Sequence, residues 1–195
     1  MKIKKFTGGL LESNGYVIYQ ERGGACYVID PGNSSKTFIK YIEEMQLELK
    51  GILLTHHHSD HVAAVRKLAD RFECPVCMHS ADADYYRDNV DVFLEDGQIF
   101  DLDGESLRVI HTPGHTAGGV CFYSEKSKLV FTGDTIFDTD LGRTDLPGGS
   151  ESELNMTCRD IINGWSNEIY IYPGHGPSCN MKKVRKFNEE FISRV

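Results

Sequence analysis

Residues 55 to 61 read THHHSDH, which places four histidines and one aspartate within six consecutive positions. Imidazole nitrogens and carboxylate oxygens, with no thiolate among them, suit zinc, iron or manganese. Three further stretches set the same residue types behind turn formers: His115 in HTPGHT, Asp134 in FTGDT and His175 in YPGHG. Proline stops ladder pairing and glycine permits a sharp turn, so each of these side chains is expected on a rigid loop at a strand end. Seven ligand-type groups result: His56, His58, Asp60, His61, His115, Asp134 and His175. Seven are too many for one four- or five-coordinate ion, whereas two ions bridged by a carboxylate would use them all.

The elements around the motifs must aim them. If the strand that begins at GILL continues through His58, His56 and His58 share one face and His57 is a spacer pointing the other way. A helix from about Asp60 to Arg71 then turns Asp60 and His61 back to the same spot. Asp60 or Ser59 could equally cap that helix, so capping and ligation both stand for Asp60. Upstream, GYVIYQ and ACYVIDPG predict two strands joined at Gly23 and Gly24. Residues 34–48 carry Phe38, Ile39, Ile42 and Met45 at helical spacing behind a serine. PVCMHS predicts a strand, and GQIFDLDG, SLRVIHTPG and GVCFYSEKSKLVFTGD predict antiparallel strands with a hairpin at SEKSK. A helix near 151–163, the strand EIYIYPG and a helix from about Met181 follow. Strands bracketed by helices predict an α/β sandwich, a single domain over residues 1–195.

Other residues have two readings. Asp30 in VIDPG is a turn former or a carboxylate that orients a ligand histidine. His79 and His111 lie on strand segments and read as hydrogen-bonded support. Cys74 and Cys77 in CPVC have the spacing of half a zinc site, but no second pair matches them, so they read as packed thiols. Composition excludes several classes. The formal net charge of −8 opposes broad nucleic-acid binding. No apolar run approaches the ~18 residues of a membrane span. The lysines of MKIKKFTGG reach glycine before an apolar targeting segment forms, so a cytoplasmic location is expected. The partner expected is a small-molecule substrate; no oligomeric state is legible.

THHHSDH, TPGHT, FTGDT and YPGHG together resemble the signature of the metallo-β-lactamase superfamily, over essentially the whole chain. That resemblance implies a four-layer αββα sandwich with the metals at one edge of two facing sheets. It implies that His56, His58 and His115 hold one metal, Asp60, His61 and His175 the second, and that Asp134 bridges them. True β-lactamases usually lack the second histidine after the aspartate and often carry cysteine at the place of Asp134, so the resemblance points away from β-lactams.

The loop LGRTDLPGG, residues 141 to 149, is similar to short bacterial members related to hydroxyacylglutathione hydrolase, or glyoxalase II. Full-length glyoxalase II adds a helical domain that contacts glutathione, whereas about twenty residues follow YPGHG here. Arg143 is a candidate for a substrate carboxylate, or pairs with Asp145 to shape its loop. The expected cofactors are two divalent ions, zinc first, with iron or manganese also suited. The expected reaction is thioester hydrolysis by a metal-bridging hydroxide, with Asp60 ligating and accepting the proton. A thiolate leaves without a strong acid, which agrees with the lack of an obvious one. Persulfide dioxygenases resemble the same pattern but imply one iron on His56, His115 and Asp134. LPGG after GRTD favours hydrolysis.

Overall fold

The computed structural model describes residues 1–195. The first half forms a six-stranded sheet. It contains β1 (Lys2–Gly8), β2 (Ser13–Tyr19), β3 (Ala25–Ile29), β4 (Glu48–Leu53), β5 (Val76–His79) and β6 (Val92–Leu94), adjacent in that order. Between them lie α1 (Ser35–Glu44), α2 (Ser59–Val62), α3 (Val65–Phe72) and α4 (Ser80–Ala83). A second six-stranded sheet is built from β7 (Ile99–Leu102), β8 (Glu105–His111), β9 (Val120–Ser124), β10 (Leu129–Gly133), β11 (Tyr170–Pro173) and β12 (Cys179–Asn180). Helices α5 (Glu151–Met156), α6 (Met181–Phe187) and α7 (Glu189–Ile192) complete the chain, α5 continuing through wider and tighter turns to Gly164.

Strand alternation sorts the core into three layers. Tyr16 and Ile18 of β2 face Phe122 and Phe131 of the other sheet, while Val17 and Tyr19 pack with Phe38 and Ile42 of α1 and Leu68 of α3. On the far side, Cys121 and Val130 meet Leu154, Val184 and Phe191 from the C-terminal helices. Each fully buried large apolar side chain contributes roughly 1.5–3 kcal/mol. The result is the expected αββα sandwich.

Strand direction decides where the loops meet. β3, β4 and β5 are mutually parallel, as are β10 and β11, so within each sheet the carboxyl ends of these strands share an edge. Three short or edge strands were not expected from sequence. β1 is lysine-rich and half exposed, and β6 and β12 are too brief to show a period.

Two expectations around the histidine cluster are corrected. β4 stops at Leu53 instead of running through His58, because the Thr55 backbone N–H leaves the ladder and donates to Asp30 Oδ1 at 2.8 Å. The helix expected from Asp60 to Arg71 is broken at Ala63 and Ala64. The Ala64 N–H donates to Pro31 O (2.8 Å), and the Asp60 carbonyl it would have met accepts from Ser13 Oγ (2.6 Å).

Candidate metal centre

The strand-end loops carry all seven expected residues to one place. His56, His58 and His115 form one group and Asp60, His61 and His175 another, the ligand-type atoms within each lying within 4.8 Å of one another. Asp134 stands between the groups, with Oδ1 3.4 Å from His61 Nε2, and Oδ2 3.4 Å from His175 Nε2 and 3.7 Å from His115 Nε2. His115 Nε2 lies 2.9 Å from His58 Nδ1.

The far nitrogen of four of these histidines is tethered. Thr55 Oγ1 donates its proton to Asp30 Oδ2 (2.6 Å), and so accepts from His56 Nδ1 at 3.0 Å. His61 Nδ1 donates to Asp30 Oδ2 (3.2 Å), His115 Nδ1 to Arg143 O (2.7 Å) and His175 Nδ1 to Leu11 O (3.0 Å). Each tether occupies Nδ1 and turns Nε2 towards the shared group, the arrangement found behind metal-ligating histidines. His56 Nε2 and Asp134 Oδ1 are buried without a hydrogen-bond partner. Orphaned buried donor atoms in an all-nitrogen-and-oxygen set fit divalent ions.

The charge balance agrees with this fit. Burial, then His61, holds His56 well below its usual range, and burial, then His115, lowers His58 to about 4. Burial also lowers His115. Neutral imidazoles keep their lone pairs. Burial opposes ionisation of Asp60 and Asp134, but is outweighed by His61 and His175, and both carboxyls end below the carboxylate range. His175 rises to about 9 through hydrogen bonds to Asp134 and Asp60. His61 rises as well, because Asp134, Asp30 and Asp60 outweigh its burial. The carboxylates thus favour the protonated forms of His61 and His175 at the place where cations would be held.

Asp60 is not a helix cap. The cap position of α2 is His58, and no side chain there bonds the helix N-terminus. Asp60 Oδ2 instead faces His175 Nε2 at 3.2 Å and His61 Nε2 at 3.4 Å. Asp30 has a φ of 46°, which turns the chain, and its carboxylate accepts from His61 Nδ1 at 3.2 Å. His57 faces away from the group, bonded to Asp82 Oδ2 (3.0 Å) and stacked on Tyr85. His79 and His111 stay outside, stacked on each other at 4.3 Å. All six cysteines are buried and free, and burial raises the Cys74 and Cys77 thiols to about 11 and about 12. Arg143 lines the cavity, but its guanidinium grips Asp145 through two 2.7 Å bonds, as in the loop-shaping alternative.

Several supporting residues were not read from sequence. Buried Asn14 at the start of β2 donates to Pro173 O (3.0 Å) and Gly176 O (2.9 Å), pinning the loop of His175. Buried Asp82 accepts from the His57 and Gly118 backbone N–H groups, tying the histidine cluster to the loop of His115. Neither has a local signal, since each partner lies far along the chain. Gly174 had one, in PGHG: a Cβ there would come within 2.1 Å of Asp134 Oδ1 and 2.6 Å of His61 Cε1.

His58, Asp60, His115, Asp134 and His175 line a cavity of about 600 Å³ that is also walled by Leu11, Phe137, Asp138, Asp140, Arg143 and Leu146, with His56 and His61 buried behind them. A family model described as the metallo-beta-lactamase superfamily matches residues 8–175. Among curated relatives, a Haemophilus influenzae protein named hydroxyacylglutathione hydrolase GloC is 32% identical, over 96% of this chain and 97% of its own. The solved BLEG-1 B3 metallo-β-lactamase is similar in fold, with a TM-score of 0.90 and 28% identity over 96% of this chain and 98% of that one. TTHA1623, solved in a di-iron-bound form, gives a TM-score of 0.85 and 30% identity over 95% and 98% of the two chains.

Proposed function

The chain belongs to the metallo-β-lactamase superfamily, and on that premise we propose that it is a metal-dependent hydrolase of small thioesters, of the hydroxyacylglutathione hydrolase kind. The observation that carries the reading is the set of four tethered histidines whose Nε2 atoms converge with Asp60 and Asp134 beside the cavity. Two divalent ions, zinc first, would be held by His56, His58 and His115 and by Asp60, His61 and His175, with Asp134 shared. When bound, such a pair lowers the pKa of water from 15.7 towards ~7 and draws charge from a carbonyl oxygen.

The chain's own groups do the rest. Asp60 is about one-fifth exposed to the cavity and stands among the converging histidines, a position from which it would accept the proton of the attacking water. The aspartates of Asp60, Asp134, Asp138 and Asp140 make the cavity acidic, and Lys183 pairs with Asp138 at 2.9 Å. Outside the metal group the wall carries no histidine, lysine or tyrosine acid. A thiolate leaving group, with a parent pKa near ~8.5, needs none, whereas an amine would. The similarity to GloC supports a thioester joined to glutathione.

No helix is long and apolar enough to cross a membrane. We place the protein in the cytoplasm, where a reducing environment suits its free thiols. The test is elemental analysis of protein purified without added metal, with assays on a hydroxyacylglutathione, a β-lactam and glutathione persulfide. About two metals per chain and preferential thioester hydrolysis are expected. One iron with oxygen consumption on the persulfide would replace this reading with the dioxygenase, and faster β-lactam opening would replace the substrate class.

A further inference from the structure

A second cavity, of about 560 Å³, opens beside the metal centre and shares His58 and Ser59 with the first. Its far wall is the segment after α4, with Tyr85, Tyr86 and Arg87, and its side is Val62 of α2. The wall is braced. Tyr85 stacks on His57 with ring centres 4.8 Å apart, and His57 is bonded through ring and backbone to fully buried Asp82.

The two cavities differ in charge. In the first, Asp60 and Asp134 belong to the candidate ligand group, Asp138 is paired with Lys183, and the guanidinium of Arg143 is taken by Asp145. In the second, Asp88 is matched by Arg66, which also holds Asp70, and Arg87 has neither an ion pair nor a hydrogen bond. The second cavity therefore offers an anion an unpaired guanidinium beside an aromatic wall.

On the reading of the metal centre as a thioester hydrolase, we propose that the second cavity receives the acyl half of the substrate and that Arg87 binds a carboxylate at the far end of that acyl chain. His58 and Ser59, common to both cavities, mark the boundary at which the scissile carbonyl sits, with the thiol half in the first. Tyr85 and Val62 cover the methylenes, and the guanidinium fork matches a carboxylate. Arg87 is then a specificity residue: it touches the substrate away from the reacting atoms.

The test is calorimetric binding of two non-cleavable thioethers of equal length, one ending in a carboxylate and one in a primary amide, to the zinc-loaded full chain and its Arg87→Gln variant. Arg87→Gln should weaken the carboxylate ligand about ten-fold, the scale of a charged hydrogen bond, and leave the amide ligand unchanged. Tyr85→Ala should weaken both. Equal binding of the carboxylate ligand to wild type and Arg87→Gln, including capture by the metals alone, would overturn the assignment. The readout needs no turnover. Arg87-dependent binding without thioester hydrolysis would remove the function proposed above and keep the anion subsite; hydrolysis without Arg87 dependence would do the reverse.

Discussion

Asp30 Oδ2 lies 3.2 Å from His61 Nδ1, joining the end of the third strand to the first turn of the second helix. The same carboxylate accepts from the Thr55 backbone and hydroxyl, and Thr55 in turn orients His56. One buried side chain therefore orients a histidine in each candidate ligand group. Asp30→Asn keeps the shape and tolerates the positive φ, but turns an amide N–H₂ against donors. Metal affinity, read by competition with a chelator, should fall about 10- to 100-fold. Unchanged affinity would make Asp30 a turn former only.

His58 and His57 are neighbours with opposite expected effects. His58→Ala should lose metal and activity, because one of three nitrogens in its group disappears. His57→Ala should keep the metal content and stay within a few-fold in turnover. It should cost about 1–3 kcal/mol of stability, since Asp82 loses the ring as a partner inside the protein. Metal analysis and denaturant melts of both variants check this, and equal metal loss from the two would refute the assignment of faces.

Asp60→Asn separates ligation from capping. Asparagine caps a helix about as well as aspartate, so a capping residue would be silent as Asn and cost ~1 kcal/mol only as Ala. With Asp60 facing His61 and His175, turnover should instead fall ~10²-fold or more in both variants. An active, metal-replete Asp60→Asn enzyme would remove this residue from the site.

The metal-free protein should show a particular pH dependence. His175 has its folded pKa raised to about 9 by Asp134 and Asp60. Its contribution is fully present below the unfolded histidine value near ~6.5 and is lost as pH rises through about 9. Chelated wild type should therefore lose melting temperature between these limits, and chelated His175→Gln should lose less. Metal competes for the same nitrogen, so metal affinity should rise over that window. Parallel melting curves for the two chelated proteins would show that His175 holds no proton there.

The residue types and their places at strand ends were determined locally. Turn chemistry after each strand sets His115, Asp134 and His175 on loops, and the short spacing of His56, His58, Asp60 and His61 keeps them together whatever the rest of the chain does. The fold class followed from the alternation of strand and helix patterns.

What tertiary structure alone decided is which partner each donor and acceptor finds. The carbonyls of Arg143 and Leu11 orient His115 and His175, Ser13 and Pro31 take the carbonyl of Asp60 and the N–H of Ala64 where the helix breaks, and Asp145 occupies Arg143. The lysine-rich β1 became a strand because β2 offered it a ladder, a contact its own period does not announce. Sequence periodicity reports which side of an element is buried. The hydrogen-bond partners that fix tautomers come from distant segments brought together by sheet order and register, and a backbone polar group taken out of water bonds to whatever that register presents.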